Sequence, residues 1–317
     1  KRTRRSIGPR PKGATECAWP LRADARRRDE AAELVRVQRA VAAHDAMAGN
    51  HDGERIVGAG PGDGARAARQ LEPARERTGY SAGKEVWGEP GADWIRLPEL
   101  RATTAGLTLH VESSWGAGTL RSKLMGEFNA ENLLAVLGVL LGWNVPLQRA
   151  LAALALCVAP PGRMESFGGG KQPLVLVDYA HSPDALAKVL DASRAHARGR
   201  LLCVFGCGGD RDPGKRPLMG GIAEAGADVA IVTDDNPRTE DSAAIIAQIL
   251  AGMRDAAAAQ VVPDRAEAIR LAIAEAEAGD VVVVAGKGHE DYQIVGTEKR
   301  AFSDRETVQA CLSGDVA

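Results

Sequence analysis

The chain has 317 residues, 45% of them hydrophobic, and a formal charge of -2. That is enough chain for two domains, and the near-neutral balance excludes a global pull toward nucleic acid or an anionic membrane, so any basic site must be local. The five cysteines, Cys17, Cys157, Cys203, Cys207 and Cys311, are odd in number and scattered, which argues against a disulfide framework and for a reducing, cytoplasmic setting.

Residues 1–80 carry 17 Lys and Arg against 11 Asp and Glu, a net of +6, leaving -8 for the remainder. This quarter is rich in Arg, Ala, Gly and Asp, has few branched or aromatic residues, and shows no sustained period apart from one helix expected at 29–43. The sequence starts at Lys1 rather than Met. Residues 1–80 are therefore expected to be disordered, spurious or translated from a shifted frame, with a natural basic tail as the alternative.

Order is expected from residue 84 onward. Trp87, Trp94, Ile95 and the alternating run 106–112 read as strands of an antiparallel piece. Helical periodicity follows at 129–141 and 146–157, broken at 142–145, and Pro160-Pro161-Gly162 marks a boundary. The apolar run 133–143 is too short to span a membrane. Met125, Leu133, Leu134 and Leu137 read as core. Beyond the boundary, continuous apolar strands at 174–178, 201–205, 229–233 and 281–285 alternate with helices at 183–198, 216–225, 242–258 and 266–278. Such alternation predicts an α/β fold with a mostly parallel, doubly covered sheet.

Each of these strands ends in a polar turn: DYAH at 178–181, GCGGDRD at 206–212, DDNPR at 234–238 and GKGHED at 286–291. Ligands of open α/β sheets bind at that carboxyl edge, so the four turns predict one site. Pro237 cannot donate to a strand ladder, so Asp234, Asp235, Asn236 and Arg238 leave the sheet together. A guanidinium beside carboxylates and an amide can hold both ends of a zwitterion, which points to an amino-acid ligand. The glycines of 206–209 allow a close backbone approach, although the run is not GxGxxG, and alone it would read as a tight turn. Lys287 between two glycines is only superficially like a phosphate loop, and no GxxxxGK[ST] occurs anywhere in the chain. His181 and His289 belong to no metal-ligand spacing and read as polar-turn residues, and no metal site is assigned. Cys203 and Cys207 read as small buried hydrophobes, Ser182 and Ser303 lack a nucleophile elbow, and Glu267 and Glu275 read as solvated helix faces.

Together with GEFNAEN at 126–132 and GRME at 162–165, these turns resemble the Mur ligases over about residues 107–311, and among them those that add meso-diaminopimelate. The resemblance implies a Rossmann-like, mostly parallel carboxyl-terminal domain at 159–317, preceded at 81–158 by a remnant of the α/β central ATPase domain with linker helices. It implies ATP- and Mg²⁺-dependent amide formation through an acyl phosphate, joining meso-diaminopimelate to a UDP-linked muramyl dipeptide, UDP-N-acetylmuramoyl-L-alanyl-D-glutamate. It further implies that Arg211, Asp235, Asn236, Pro237, Arg238, Gly286 and Glu290 surround diaminopimelate. Asn129 and Asn132 would lie toward adenine, Arg163 and Asp178 toward ribose and phosphate, with Lys215 a further nucleotide-side residue. No individual catalytic residue is assigned, and the protein is read as a monomer.

The sequence departs from the family pattern in four respects. Glu127 stands where the motif usually has His. The amino-terminal UDP-binding domain and the phosphate loop are not recognisable, and neither is the lysine that the family carbamylates. The parent enzyme is thus expected to be a ligase while this chain alone lacks the means of catalysis. Two readings stand beside it: an incomplete piece that only binds diaminopimelate or a protein partner, and an enzyme adding another amino acid, such as glutamate to a folate-like acceptor. The DNPR turn disfavours the last.

Overall fold

The computed structural model describes residues 78–81 and 93–314. The helix expected at 29–43, the strand residue Trp87 and nearly all of the basic segment 1–80 lie outside the described residues.

The first unit is a four-stranded sheet of β1 (Thr78–Ser81), β2 (Asp93–Thr103), β3 (Gly106–Ser113) and β4 (Gly116–Ser122), in that order. β1 runs parallel to β2, while β2, β3 and β4 form an antiparallel meander. In β3 inward and outward residues alternate, as a sheet with one buried face requires. Its Leu107, Leu109 and Val111 pack with Ile95, Leu97 and Leu120 against α1 (Glu127–Gly142) and α2 (Leu147–Leu154). Leu133, Leu134 and Leu137 belong to this core.

The second unit is a six-stranded sheet in the order β5-β6-β10-β7-β8-β9. Its strands are β5 (Glu165–Gly168), β6 (Leu174–Asp178), β7 (Leu201–Phe205), β8 (Val229–Val232), β9 (Gln260–Val261) and β10 (Val281–Ala285). β6, β10, β7, β8 and β9 are parallel, and β5 closes one edge antiparallel. The near-continuous apolar runs have a direct cause: both faces are covered. Leu174, Leu176, Cys203, Phe205 and Val283 face α3 (Pro183–Arg194), α4 (Lys215–Gly226) and α5 (Ser242–Leu250). Val175, Val177, Leu202, Val204 and Val282 face α6 (Arg265–Glu275) and α7 (Asp304–Ser313). A hairpin of β11 (Tyr292–Val295) and β12 (Glu298–Ala301) lies beyond the sheet.

Helix starts follow local chemistry. Ser182 accepts from the Ala185 amide with Pro183 at the first helical position, Asp264 accepts from Glu267, and Ser303 from Glu306. Four expected helices are shorter than predicted: 146–157 ends at Leu154, 266–278 ends at Glu275, and two others stop further short of their expected ends. The segment 242–258 stops at Leu250, because at Gly252 the chain runs against the Pro217 backbone, where no Cβ fits. The segment 183–198 stops at Arg194, and its last turn leads into His196.

His196 ties the two units together. Its Nε2 accepts from the Gly126 amide at 2.8 Å and its Nδ1 lies 2.7 Å from the Thr103 carbonyl. An amide is only a donor and a carbonyl only an acceptor, so the ring is the neutral Nδ1–H tautomer. Burial pushes its pKa below the ordinary 6.5, partly offset by the Thr103 hydrogen bond. The unfolded chain then binds the proton more readily than the folded one, so stability held above about pH 6.5 is lost as pH falls below it. Urea denaturation between pH 7.5 and 5.5 should show stability falling by at most about 1.4 kcal/mol per pH unit from this group, a contribution that His196→Gln removes.

Candidate functional site

The four polar turns lie together at the carboxyl edge of β6, β10, β7 and β8, and the connections between them are mainly backbone. The Gly286 amide donates to the Asp178 carbonyl at 3.1 Å and the Gly209 amide to the Asn236 carbonyl at 2.9 Å. A Cβ at Gly209 would overlap the Pro237 carbonyl, and one at Gly206 the Thr233 carbonyl, so only glycine permits this approach. Gly162 packs in the same way against Gly288 and His289.

In the DDNPR turn, Asp235 and Asn236 are buried at 9% and 4% exposure. Arg238 takes a left-handed φ of 52°, held by its amide on the Ile294 carbonyl and by the Gly296 amide on its own carbonyl. Such a backbone persists in a non-glycine residue only where its surroundings impose it. The Arg238 side chain donates to the Gly209 carbonyl at 2.7 Å. A Cβ at Gly208 would lie 2.8 Å from Arg238 Nη1 and 3.7 Å from Arg211 Cγ, so both arginines pass over this glycine. Asn236 Nδ2 donates to Glu290 at 3.2 Å. Asp235, Asn236, Arg238, Gly286 and Glu290 therefore belong to one interlocked group, with the exposed Arg211 at its rim, bonded to the Asp210 carbonyl.

The residues expected on the nucleotide side fall into two groups. Arg163 is exposed, its guanidinium 5.1 Å from the Tyr179 ring, and Lys215 donates to the His181 carbonyl at 2.7 Å. Asp178 is turned inward: one oxygen accepts from the Met164 amide and the other from Ala180, both at 2.8 Å. Burial raises its pKa, against the pull of those two hydrogen bonds. Asn129 and Asn132 sit in the first turns of α1, where Asn129 donates to the Met125 carbonyl and Asn132 to Asn129. Among the described residues, no group of three His, Cys, Asp or Glu side chains could hold a metal ion. Mg²⁺ thus has no cage of side chains here.

Three buried cations to which the sequence reading gave no role organise the site. Arg265 and Asp304, both fully buried, form an ion pair in which Arg265 also donates to the Ala285 carbonyl at 2.9 Å. Arg216, 1% exposed, binds Glu240, Gln248 and the Gly208 carbonyl. Lys287, 0% exposed, donates to Asn236 Oδ1 at 2.9 Å and the Tyr292 carbonyl at 2.8 Å. The position of Lys287 directly after a fully buried strand was the signal that could have exposed it.

A profile of the Mur ligase, glutamate ligase domain family matches residues 162–288. These residues are a Mur ligase carboxyl-terminal domain. A solved UDP-N-acetylmuramoyl-L-alanyl-D-glutamate–2,6-diaminopimelate ligase is 37% identical, with a TM-score of 0.64, the match covering 79% of this chain and 52% of that one. The chain thus spans about half the length of that ligase. A UDP-N-acetylmuramate–alanine ligase from Thermotoga maritima matches at 18% identity and TM-score 0.47, over 70% of this chain and 45% of that one. A Mycobacterium tuberculosis folylpolyglutamate synthase matches at 21% identity and TM-score 0.46, over 61% and 45%.

Within this Mur ligase domain, burial pushes the Cys207 thiol up to about 11 and Cys203 up to about 12, so both stay protonated near neutrality and serve as packing groups. No helix of the described residues is long and apolar enough to cross a membrane. Arg265→Met would leave Asp304 as a buried charge without its partner. Chemical denaturation should show a loss of about 3–5 kcal/mol, a cost characteristic of one broken partner in a buried pair.

Proposed function

We propose that this chain provides the amino-acid-binding end of an ATP-dependent amide ligase that adds meso-diaminopimelate to UDP-N-acetylmuramoyl-L-alanyl-D-glutamate in peptidoglycan precursor synthesis. The observation that carries the reading is that two donors and an acceptor meet in one partly buried group, Asn236 bonded to Glu290 and Arg238 held over the same turn by the Gly209 carbonyl. Arg211 and Arg238 receive the distal carboxylate of diaminopimelate, Glu290 accepts from its distal ammonium, and the other amine remains free to attack. Lysine carries no distal carboxylate and would leave both guanidiniums without a carboxylate partner. The 37% identity to a solved diaminopimelate ligase supports this assignment over its relatives.

ATP, when bound, supplies the phosphoryl group that activates the acceptor carboxylate. Arg163 and Lys215 are the cations this chain offers toward it. Asp178, its carboxylate taken up by two backbone amides, shapes that turn rather than donating a free charge. Asn129 and Asn132 are the amides offered toward adenine. The described residues do not fit a Mg²⁺ site of their own, and no step is assigned to the metal.

The sequence contains no GxxxxGK[ST] segment, which favours a second reading: a piece that binds the amino acid without completing the reaction. Two measurements separate the readings. Calorimetry of the full chain should show diaminopimelate binding about 10- to 100-fold tighter than lysine, the weight of a charged hydrogen-bond partner, and Glu290→Gln should remove most of that affinity. Incubation with the muramyl dipeptide, ATP, Mg²⁺ and diaminopimelate, followed by mass spectrometry, then distinguishes a ligase from a binding piece. Equal affinity for lysine would overturn the assigned specificity.

A further inference from the structure

We infer that Lys287 is a positioning residue that locks the side-chain amide of Asn236, so that the site offers hydrogen-bond donors to a ligand at that point. This rests on the diaminopimelate reading for its ligand, but its geometry stands alone.

Two groups address one atom of the Asn236 amide: the Lys287 ammonium at 2.9 Å and the Ile294 backbone amide at 2.9 Å. Both are donors without acceptor capacity, so that atom must be the carbonyl oxygen. Both of its lone pairs are then used. The NH₂ end faces the other way, giving one N–H to Glu290 at 3.2 Å and keeping one for a ligand. A flipped Asn236 would set its NH₂ against two donors and present an acceptor to the incoming carboxylate.

Lys287 also supplies positive charge between the two carboxylates of the site. Its ammonium lies 3.3 Å from Asp235 Oδ1 and 3.6 Å from Glu290 Oε2. Asp235 Oδ1 is buried without a hydrogen bond, so this ion pair is what compensates it. A fourth contact, 2.8 Å to the Tyr292 carbonyl, anchors the ammonium to the hairpin. With Lys287 Nζ fully enclosed, the residue acts through Asn236 and Glu290 and not by touching substrate. Lysine suits the position because its compact ammonium places three N–H donors and a point charge among acceptors that surround it.

The test uses the full chain with ¹⁵N-labelled asparagine. The Asn236 side-chain amide is assigned by its loss in Asn236→Asp. In the parent its two protons should give separate, slowly exchanging signals. In Lys287→Met, which keeps the aliphatic stem, they should broaden or exchange rapidly, and diaminopimelate affinity should fall about 10- to 100-fold. If that variant does not fold, Asp235→Asn/Lys287→Met removes the ion pair as a pair and is read by the Asn236 signals alone. An unchanged Asn236 signal in a folded variant overturns the proposal. If the parent binds no diaminopimelate while the Asn236 signal still moves in the variant, the ligand assignment fails and the positioning role stands.

Discussion

The site depends on one fully buried ion pair. Arg265, at the start of α6, fans out to Asp304 at the start of α7, to the Ala285 carbonyl at the end of β10 and, at 3.4 Å, to the Asp234 carbonyl just past β8. One guanidinium therefore fixes the spacing between two strand ends and two helix starts. A charge in this position is costly to bury, and its partner and two carbonyls offset that cost only while the geometry holds. The polar turns after β8 and β10 are consequently tied to a rigid base, and the pairing of Asn236 with Glu290 across them follows from it. Arg216 does the same work one layer out, joining the Gly208 carbonyl to Glu240, whose carboxyl it and the Asp210 amide hold down at about 2.

Periodicity made most of the central scaffold legible in the sequence. The strands at 174–178, 201–205 and 281–285 have the expected bounds because each is a fully buried run flanked by polar turns, and 229–233 is shorter by one residue. The small pieces were not legible. β5 and β9 are edge strands of four and two residues with little apolar content. β12 is wholly exposed and carries no pattern. α7 did leave a sign, the Ser303 and Glu306 pair three residues apart that caps its start, but its apolar content is too thin for periodicity to find it.

For the site, the sequence showed which turns meet, since a parallel sheet places its strand ends along one edge. It could not show charge burial. Lys287 looks like a loop lysine in the sequence and is wholly enclosed in the fold, because the glycines on either side, with φ of 123° and 53°, turn the chain back over it. Asp178 was expected from the resemblance on the nucleotide side, and nothing in the sequence revealed that its two oxygens are already engaged by backbone amides.

The β11–β12 hairpin has almost no core of its own, and its attachments converge on the DDNPR turn. Arg238 exchanges backbone bonds with Ile294 and Gly296, Gln293 donates to the Asp235 carbonyl at 2.9 Å, and Ile294 donates to Asn236. Hairpin and turn are therefore one cooperative unit of local stability, open or closed together. By reciprocity, anything that binds the turn in its closed form also slows the fraying of the hairpin, and a defect that loosens the hairpin loosens the turn.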